Sequence, residues 1–400
     1  MRIAIFTDTF WPQVNGVVRT ITTLAQGLVS RGHEVAIFTI DVNKIKTQEI
    51  SSASGLNGQV QIYTFFSATS PWFKDIQLRF PTIVAPFSAA RQFRPDIIHS
   101  QTSFGIGWDA VMVAKLLKCP LIGTHHGFLA EYLNNIKLDF DLPKRLMRHY
   151  LAFYFNRCDA VTTPCRALSQ ELLDHRLQRP LQVISNPLDL HHFSVNRTKA
   201  ALRNKYRFTK PTLVHVGRLV AQKSIEVLID AFARLVKRGI DADLIIIGEG
   251  RERPQLEALT RELAITDSVI FTGLLTGNDL IERVAASDVF VSASTTEAQA
   301  LAFLEAMALG LPAIGVRAGG VPEYVQHENN GLVVAPHDPE ALAQAMRRLI
   351  EDAALRGSYG ACARARVKAY EAGVVLDKLE ALYRGLKDRR VTDRTYAKNS

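Results

Sequence analysis

Short runs rich in branched residues recur along the first half of the chain, with helical stretches between most of them: RIAIFT, EVAIFT, VQIYTF, DIIHSQ, PLIGTH, AVTTPC and LQVISN. Helical patterns lie at Arg19–Arg31, closed by Gly32, and at Gly107–Lys118. Strands that alternate with helices are βαβ units, and these build a parallel sheet covered on both faces. The pattern restarts after residue 210 with TLVHVG, DLIIIGEG, SVIFTG, VFVSAS, LPAIGV and GLVVAP. Between these fall helices at Ser224–Arg238, Arg253–Leu263, Asn278–Ala286 and Ala300–Ala308. At roughly 150 residues per domain, two such sheets in series account for 400 residues. The expected fold class is α/β, two Rossmann-like doubly wound parallel-sheet domains. The expected divisions are 1–190, 191–370, a helix at 371–386 and a polar, frayed tail at 387–400, with the join near Asn186–Lys210.

Composition narrows the function. Hydrophobic residues make up 47% and charged residues 22%, as in a globular protein. No apolar run reaches the 18 or so residues of a spanning helix. MRIAIFTDTF reads as a first strand, not a secretory signal. Cys119, Cys158, Cys165 and Cys362 sit at unrelated spacings, so reduced cytoplasmic thiols are expected and neither a disulfide framework nor a zinc site. The net charge of +9 is spread over both halves: 19 basic against 14 acidic residues lie in 1–190, and 29 against 25 in the rest. That argues against a nucleic-acid-binding tail and for an anionic partner, a phosphorylated ligand or an anionic membrane surface.

In doubly wound folds ligands bind at the carboxyl ends of the strands. After the first strand, Asn15-Gly16 precedes a helical pattern, and glycine there lets an anion approach the backbone at a helix N-terminus. A plain turn glycine explains it as well. No GxGxxG follows; the nearest match, Gly248-Glu249-Gly250, lacks the third glycine. GTHHG puts His125 and His126 at a strand end, where adjacent side chains point apart and cannot share a metal. After the first strand of the second half, Arg218 and Lys223 sit just before a helix and can grip a diphosphate, or stand as two solvated loop cations.

The run from Thr295 to Pro312 is the most specific. Glu297 falls at a loop-to-helix turn, and Glu305 follows eight residues on, about 12 Å along a helix at 1.5 Å per residue. Two carboxylates so placed accept hydroxyls from separate parts of one long ligand. Ala318-Gly319-Gly320-Val321-Pro322-Glu323 is a glycine-rich turn suited to close approach. The two DxD strings, Asp139-Phe140-Asp141 and Asp241-Ala242-Asp243, read as surface charge. Residues 51–90 form the least regular segment, with Phe65, Phe66, Trp72 and Phe73 beside Lys74 and Arg79.

In this order, the Asn15-Gly16 turn, GTHHG, SNPLD, VGRLVAQK, the two glutamates and GGVPE resemble the retaining GT-B glycosyltransferases of family four. The resemblance implies two domains facing a cleft, with the acceptor held by the N-terminal one and a nucleotide-diphosphate sugar, a UDP- or GDP-hexose, by the C-terminal one. It also implies no metal or other cofactor, and a C-terminal helix, Ala369 to Leu386, crossing back to the first domain. By position it makes His126 the active-site histidine at the sugar, Gly16 the glycine at the diphosphate, and Arg218 and Lys223 the diphosphate clamp. Glu297 becomes the carboxylate at the sugar hydroxyls and Glu305 the one at the ribose, with Ala298, Gln299, Ala300 and Leu301 completing the donor site. Three positions depart from the pattern: Ser224, Ala298 and Ala300 stand where glycines are usual.

FTDTFWPQVNGVVRTI, HSQTSFGIG and Gln299 look most like members that glycosylate membrane lipids such as diacylglycerol. Helix Leu142–Arg157, with Lys144, Arg145 and Arg148 beside Leu146, Tyr150, Leu151, Phe153 and Tyr154, suits an anionic bilayer. The Phe65–Phe73 loop is a second candidate for lipid contact; core packing with a basic edge explains both as well. The expected function is therefore hexosyl transfer to a lipid or polyol acceptor by a cytoplasmic, peripheral enzyme. A soluble or polysaccharide acceptor, or a non-catalytic sugar-nucleotide binder, is the alternative.

Overall fold

The computed structural model describes residues 1–13, 15–41, 47–69, 77–79, 82–136 and 140–399. The chain divides into two compact units. One comprises Met1–Ala130, Phe140–Pro187 and Ala372–Ser400; the other comprises Glu131–Asp139 and Leu188–Glu371.

The first unit holds a seven-stranded sheet of β1 (Arg2–Thr7), β2 (Glu34–Ile40), β3 (Gln61–Phe65), β4 (Ile97–Ser100), β5 (Leu121–Thr124), β6 (Ala160–Thr163) and β7 (Leu181–Val183). Their order is β3-β2-β1-β4-β5-β6-β7, every pair parallel. Side chains alternate between two buried faces. Ile3 and Ile5 pack with Ile21, Leu24 and Leu28 of the helix Gly16–Ser30. Ala4 and Phe6 face the opposite way, toward Ile106 and Val113 of Gly105–Leu117 and Tyr154 of Asp141–Phe155.

The second unit repeats this design with β8 (Thr212–Val216), β9 (Asp243–Ile247), β10 (Val269–Gly273), β11 (Val289–Val291), β12 (Ala313–Val316) and β13 (Gly331–Val334). The order is β10-β9-β8-β11-β12-β13, again all parallel. Leu244 and Ile246 enter one core, Ile245 and Ile247 the other.

The last helix, Ala372–Asn399, belongs to the first unit. It lays Leu376, Leu379 and Tyr383 against the helix Gly16–Ser30. A Cβ at Gly27 would stand 2.4 Å from Leu376 Cδ1, so a larger residue there would push the leucine side chain aside. Arg31 donates to Asp377 at 2.7 Å and to the Gly373 carbonyl at 2.8 Å. The helix continues through the stretch expected to fray from Lys387, and Lys387 pairs with Asp96 at 3.1 Å.

Residues 51–90 carry more structure than their composition suggests. They include the end of the helix Thr47–Ala53, β3, a short ribbon of Ala68–Thr69 with Gln77–Leu78, and the start of Val84–Phe93. Phe65 is buried and Phe66 exposed. Trp72, Phe73 and Lys74, and with them most of the expected lipid-contacting loop, lie outside the described residues, as does Asp139 of the first DxD string. Asp241 of the second pairs with Lys210 at 2.8 Å on the surface. No helix among the described residues is long and apolar enough to cross a membrane.

Candidate active site

β8 and β11 are neighbours in the second sheet, although β9 and β10 come between them in the chain. The strand order reverses here, and such a switch point opens a crevice at the carboxyl ends of the strands. The loop after β8 carries Arg218 and Lys223, and the loop after β11 carries Glu297. Lys223 and Glu297 form an ion pair. The Gln222 carbonyl accepts from the Ser294 hydroxyl at 3.1 Å and from the Thr296 hydroxyl at 3.4 Å. At the other end of the motif, the Gly320 amide donates to the Glu297 carbonyl at 2.7 Å, which ties GGVPE to the same loop.

Glu297 is buried. Burial alone would raise its carboxyl, but the Lys223 ammonium, joined by the Ser294 hydroxyl, outweighs that and holds it below the usual carboxylate range. Arg218 is exposed near the start of the loop. Ser224 ends the loop in the left-handed region, φ +48°, a conformation that favours glycine. Gly248 and Gly250 prove to be packing residues. A Cβ on Gly248 would stand 1.9 Å from the Gly217 carbonyl oxygen, and one on Gly250 would stand 2.1 Å from that of Leu219.

Ala298, Gln299 and Leu301 are buried and Ala300 half-buried. The helix Leu301–Ala308 begins with Ala300 as a cap that offers no side-chain hydrogen bond, leaving first-turn amides available to an anion. This start corrects the geometry expected between the two glutamates. Glu305 lies buried in the helix's second turn, whereas Glu297 precedes the helix in a loop. The seven residues between them are thus not one helical rod. Ser294 and Thr296, which open the segment, instead bond the Gln222 carbonyl of the neighbouring loop.

In the first unit, His126 follows β5 and Gln101 follows β4, on adjacent strands. His126 Nε2 lies 2.6 Å from Gln101 Oε1. Burial, then the neighbouring His125, lowers the His126 imidazole to about 4 against the opposing effect of a hydrogen bond with Asn186. Asn186 belongs to SNPLD, so two motifs distant in sequence meet here. His126 is consequently neutral at pH 7. Gly16 opens the helix Gly16–Ser30 and is exposed, next to Asn15, whose side chain accepts from the Val18 amide at 3.0 Å. His125 turns the other way, into the Phe155 ring and toward Glu171.

Three polar residues escaped the reading of the sequence. Gln101 orients His126. Asp8 accepts from the Thr102 hydroxyl at 2.6 Å and from the Ile106 amide at 2.8 Å, capping the helix Gly105–Leu117 from another strand end. His215 lies beneath the Lys223 loop. Only their place after, or at the end of, an apolar run marked them. Among the described residues, no group of three or more His, Cys, Asp or Glu is arranged to hold a metal ion.

Residues 14–192 match the family described as Glycosyltransferase Family 4, and residues 198–366 the one described as Glycosyl transferases group 1. The chain is 31% identical over 323 residues to alpha-monoglucosyldiacylglycerol synthase of Streptococcus pneumoniae, covering 78% of this chain and 70% of that protein. The chain belongs to the family-four, group 1 glycosyltransferases. This glycosyltransferase is also 26% identical over 398 residues to the GDP-mannose-dependent alpha-mannosyltransferase of Mycobacterium tuberculosis, covering 98% of each. In fold it matches Anabaena Alr3699/HepE, solved in complex with UDP, with a TM-score of 0.79, 18% identity and coverage of 96% of this chain and 100% of that one. Its architecture is GT-B.

Proposed function

We propose that this glycosyltransferase moves a hexose, with retention of anomeric configuration and without a metal ion, from a nucleotide-diphosphate sugar to a hydroxyl of a membrane lipid such as diacylglycerol or a glycolipid. The Lys223–Glu297 pair at the switch point carries the reading. It sets a cation beside an ionised carboxylate under a helix N-terminus with open amides, which suits a diphosphate joined to a polyol. Arg218 and Lys223 take the diphosphate and offset the charge that develops as the sugar–oxygen bond breaks. Glu297 accepts sugar hydroxyls, Glu305 the ribose, and the Ala298–Leu301 segment lines the donor. Gly16 approaches the diphosphate, and neutral His126 contacts the sugar beside the reacting carbon. The acceptor hydroxyl attacks from the face the diphosphate leaves, and a leaving phosphate oxygen takes its proton.

The lipid acceptor draws support from the pneumococcal relative's name and from the helix Asp141–Phe155. Leu142, Leu146 and Phe153 are 65%, 60% and 49% exposed. At helical spacing they lie on one face with Arg145 and His149, which are also exposed. Such a stripe fits the headgroup level of an anionic bilayer. A second reading has a soluble or polysaccharide acceptor, and the near full-length match to a GDP-mannose-dependent relative keeps GDP-mannose beside UDP-hexoses as a candidate donor.

The test incubates the protein with UDP- and GDP-hexoses and vesicles of phosphatidylglycerol containing diacylglycerol, with and without a metal chelator. Products are read by mass and by anomeric linkage. Hexosyl-diacylglycerol of retained configuration, formed despite the chelator, is expected. Transfer only to soluble sugars would establish the second reading. Donor binding with no turnover at all would make the chain a non-catalytic binder.

A further inference from the structure

At the switch point of the second sheet the backbone ladder between β8 and β11 ends at Val214 and Phe290. Diverging strands leave their next carbonyls without a ladder donor, and each needs a substitute. His215 supplies one. Its Nδ1 lies 3.0 Å from the Val291 carbonyl oxygen. A carbonyl only accepts, so Nδ1 carries the proton and Nε2 the lone pair. The ring is 1% exposed, and Nε2 finds no hydrogen-bond partner among the described residues. Nε2 faces Gly217, where a Cβ would stand 3.2 Å away. Burial first, then Lys223, opposes protonation of this ring against the Val291 carbonyl and Glu297, and holds it to about 4. It therefore sits close enough to feel both members of the pair.

We propose that His215 is a positioning residue of the donor site: its Nδ1–H bond to Val291 ties the strand leading into the Arg218–Lys223 loop to the strand leading into the Glu297 loop, fixing the register in which Lys223 meets Glu297. The Ser294 and Thr296 bonds to Gln222 join the same loops farther out. His215 joins them at the root, where one shifted strand end would displace every group beyond it. The inference rests on the donor-site reading for what the two loops bind, and on geometry alone for the tie.

Asparagine and glutamine separate the two ring nitrogens, because an asparagine amide reaches about where Nδ1 stands and a glutamine amide about where Nε2 stands. His215→Asn should keep kcat and the dissociation constant for free UDP or GDP within about threefold, while His215→Gln and His215→Leu lose about tenfold or more in kcat and also bind UDP or GDP more weakly. Equal losses in Asn and Gln variants, or a Leu variant with unchanged kcat, would overturn the proposal. Nitrogen NMR of the full chain with 15N-labelled histidine reads the tautomer without any ligand, with the His215 signals identified by their loss in His215→Asn. A proton on Nδ1 is expected, and a proton on Nε2 refutes the tie. If Lys223→Ala and Glu297→Gln both leave transfer intact, the donor-site reading fails instead, whatever the tautomer.

Discussion

Lys223 and Glu297, 74 positions apart in the chain, meet in an ion pair because their loops leave adjacent strands of a sheet whose order reverses between them. The carboxylate is the buried partner and the ammonium the more exposed one. Without the ammonium, burial would act on Glu297 against only the Ser294 hydroxyl and the His215 ring.

That asymmetry predicts a pH effect. Lys223→Met should raise the Glu297 carboxyl, so the acid limb of the transfer rate moves to higher pH. Glu297→Gln should remove the limb. A limb at the same pH in wild type and Lys223→Met would show that another group controls it.

Three histidines held neutral by their surroundings contribute to the acid stability. Burial pushes His99 down to about 3, with His126 adding to it, while His126 and His215 both fall to about 4. All three lie below the unfolded value of about 6.5, so the unfolded chain binds more protons between those limits. Their stabilisation is complete above that value and is lost as pH falls toward 4. Unfolding near pH 5 should take up about three protons from these groups, measurable as the slope of unfolding free energy against pH. A flat slope would refute their neutrality.

Ser224 holds φ +48° where glycine would sit without strain. Ser224→Gly should stabilise the protein by about 0.5–1 kcal/mol in urea unfolding, offset in part by the freedom glycine gains in the unfolded chain. A loss of stability would mean that the buried serine hydroxyl contributes more than the strain removes.

His126 and Glu305 should separate kinetically. His126→Ala is expected to lower kcat about tenfold or more with the donor KM nearly unchanged, and Glu305→Gln to raise the dissociation constant for UDP or GDP. Calorimetric titration and steady-state rates check both. Full activity in the two variants would remove them from the site.

The exposed stripe of the helix Asp141–Phe155 makes a last test. Leu146→Glu and Phe153→Glu, by burying charge at the membrane, should weaken partition onto phosphatidylglycerol vesicles about tenfold. Transfer to a short-chain soluble diacylglycerol should persist. Unchanged vesicle partition would assign the stripe no membrane role.

Much of this was legible in the chain because apolar period and strand-end turns are local signals. The runs RIAIFT and TLVHVG became β1 and β8. Lys223 and Glu297 stood out because a cation just before a helix and a carboxylate at a loop-to-helix turn both follow strand ends, where ligands bind in such folds. Their direct pairing was hidden, since it depends on which strands are neighbours. Glu305 was readable as a buried carboxylate but not its relation to Glu297, because the late helix start depends on bonds from Ser294 and Thr296 to a loop 72 and 74 residues away. His215, Gln101 and Asp8 were hidden for the same reason. Each is an isolated polar residue whose partner comes from another strand. The polar stretch after Lys387 was read as a tail, and the backbone there continues the helix Ala372–Asn399.

The attachment of Leu376 in the gap above Gly27 has a consequence for biosynthesis. The first unit's sheet leaves the ribosome before the second unit, yet one layer of its core arrives only after that second unit has been made. Until then Ile3, Ile21 and Leu24 stay partly uncovered. A nascent chain stalled between Glu371 and Val375 would thus carry an unfinished first unit and a completed second one, and a deletion from Val375 onward would damage the unit whose sheet was made earlier.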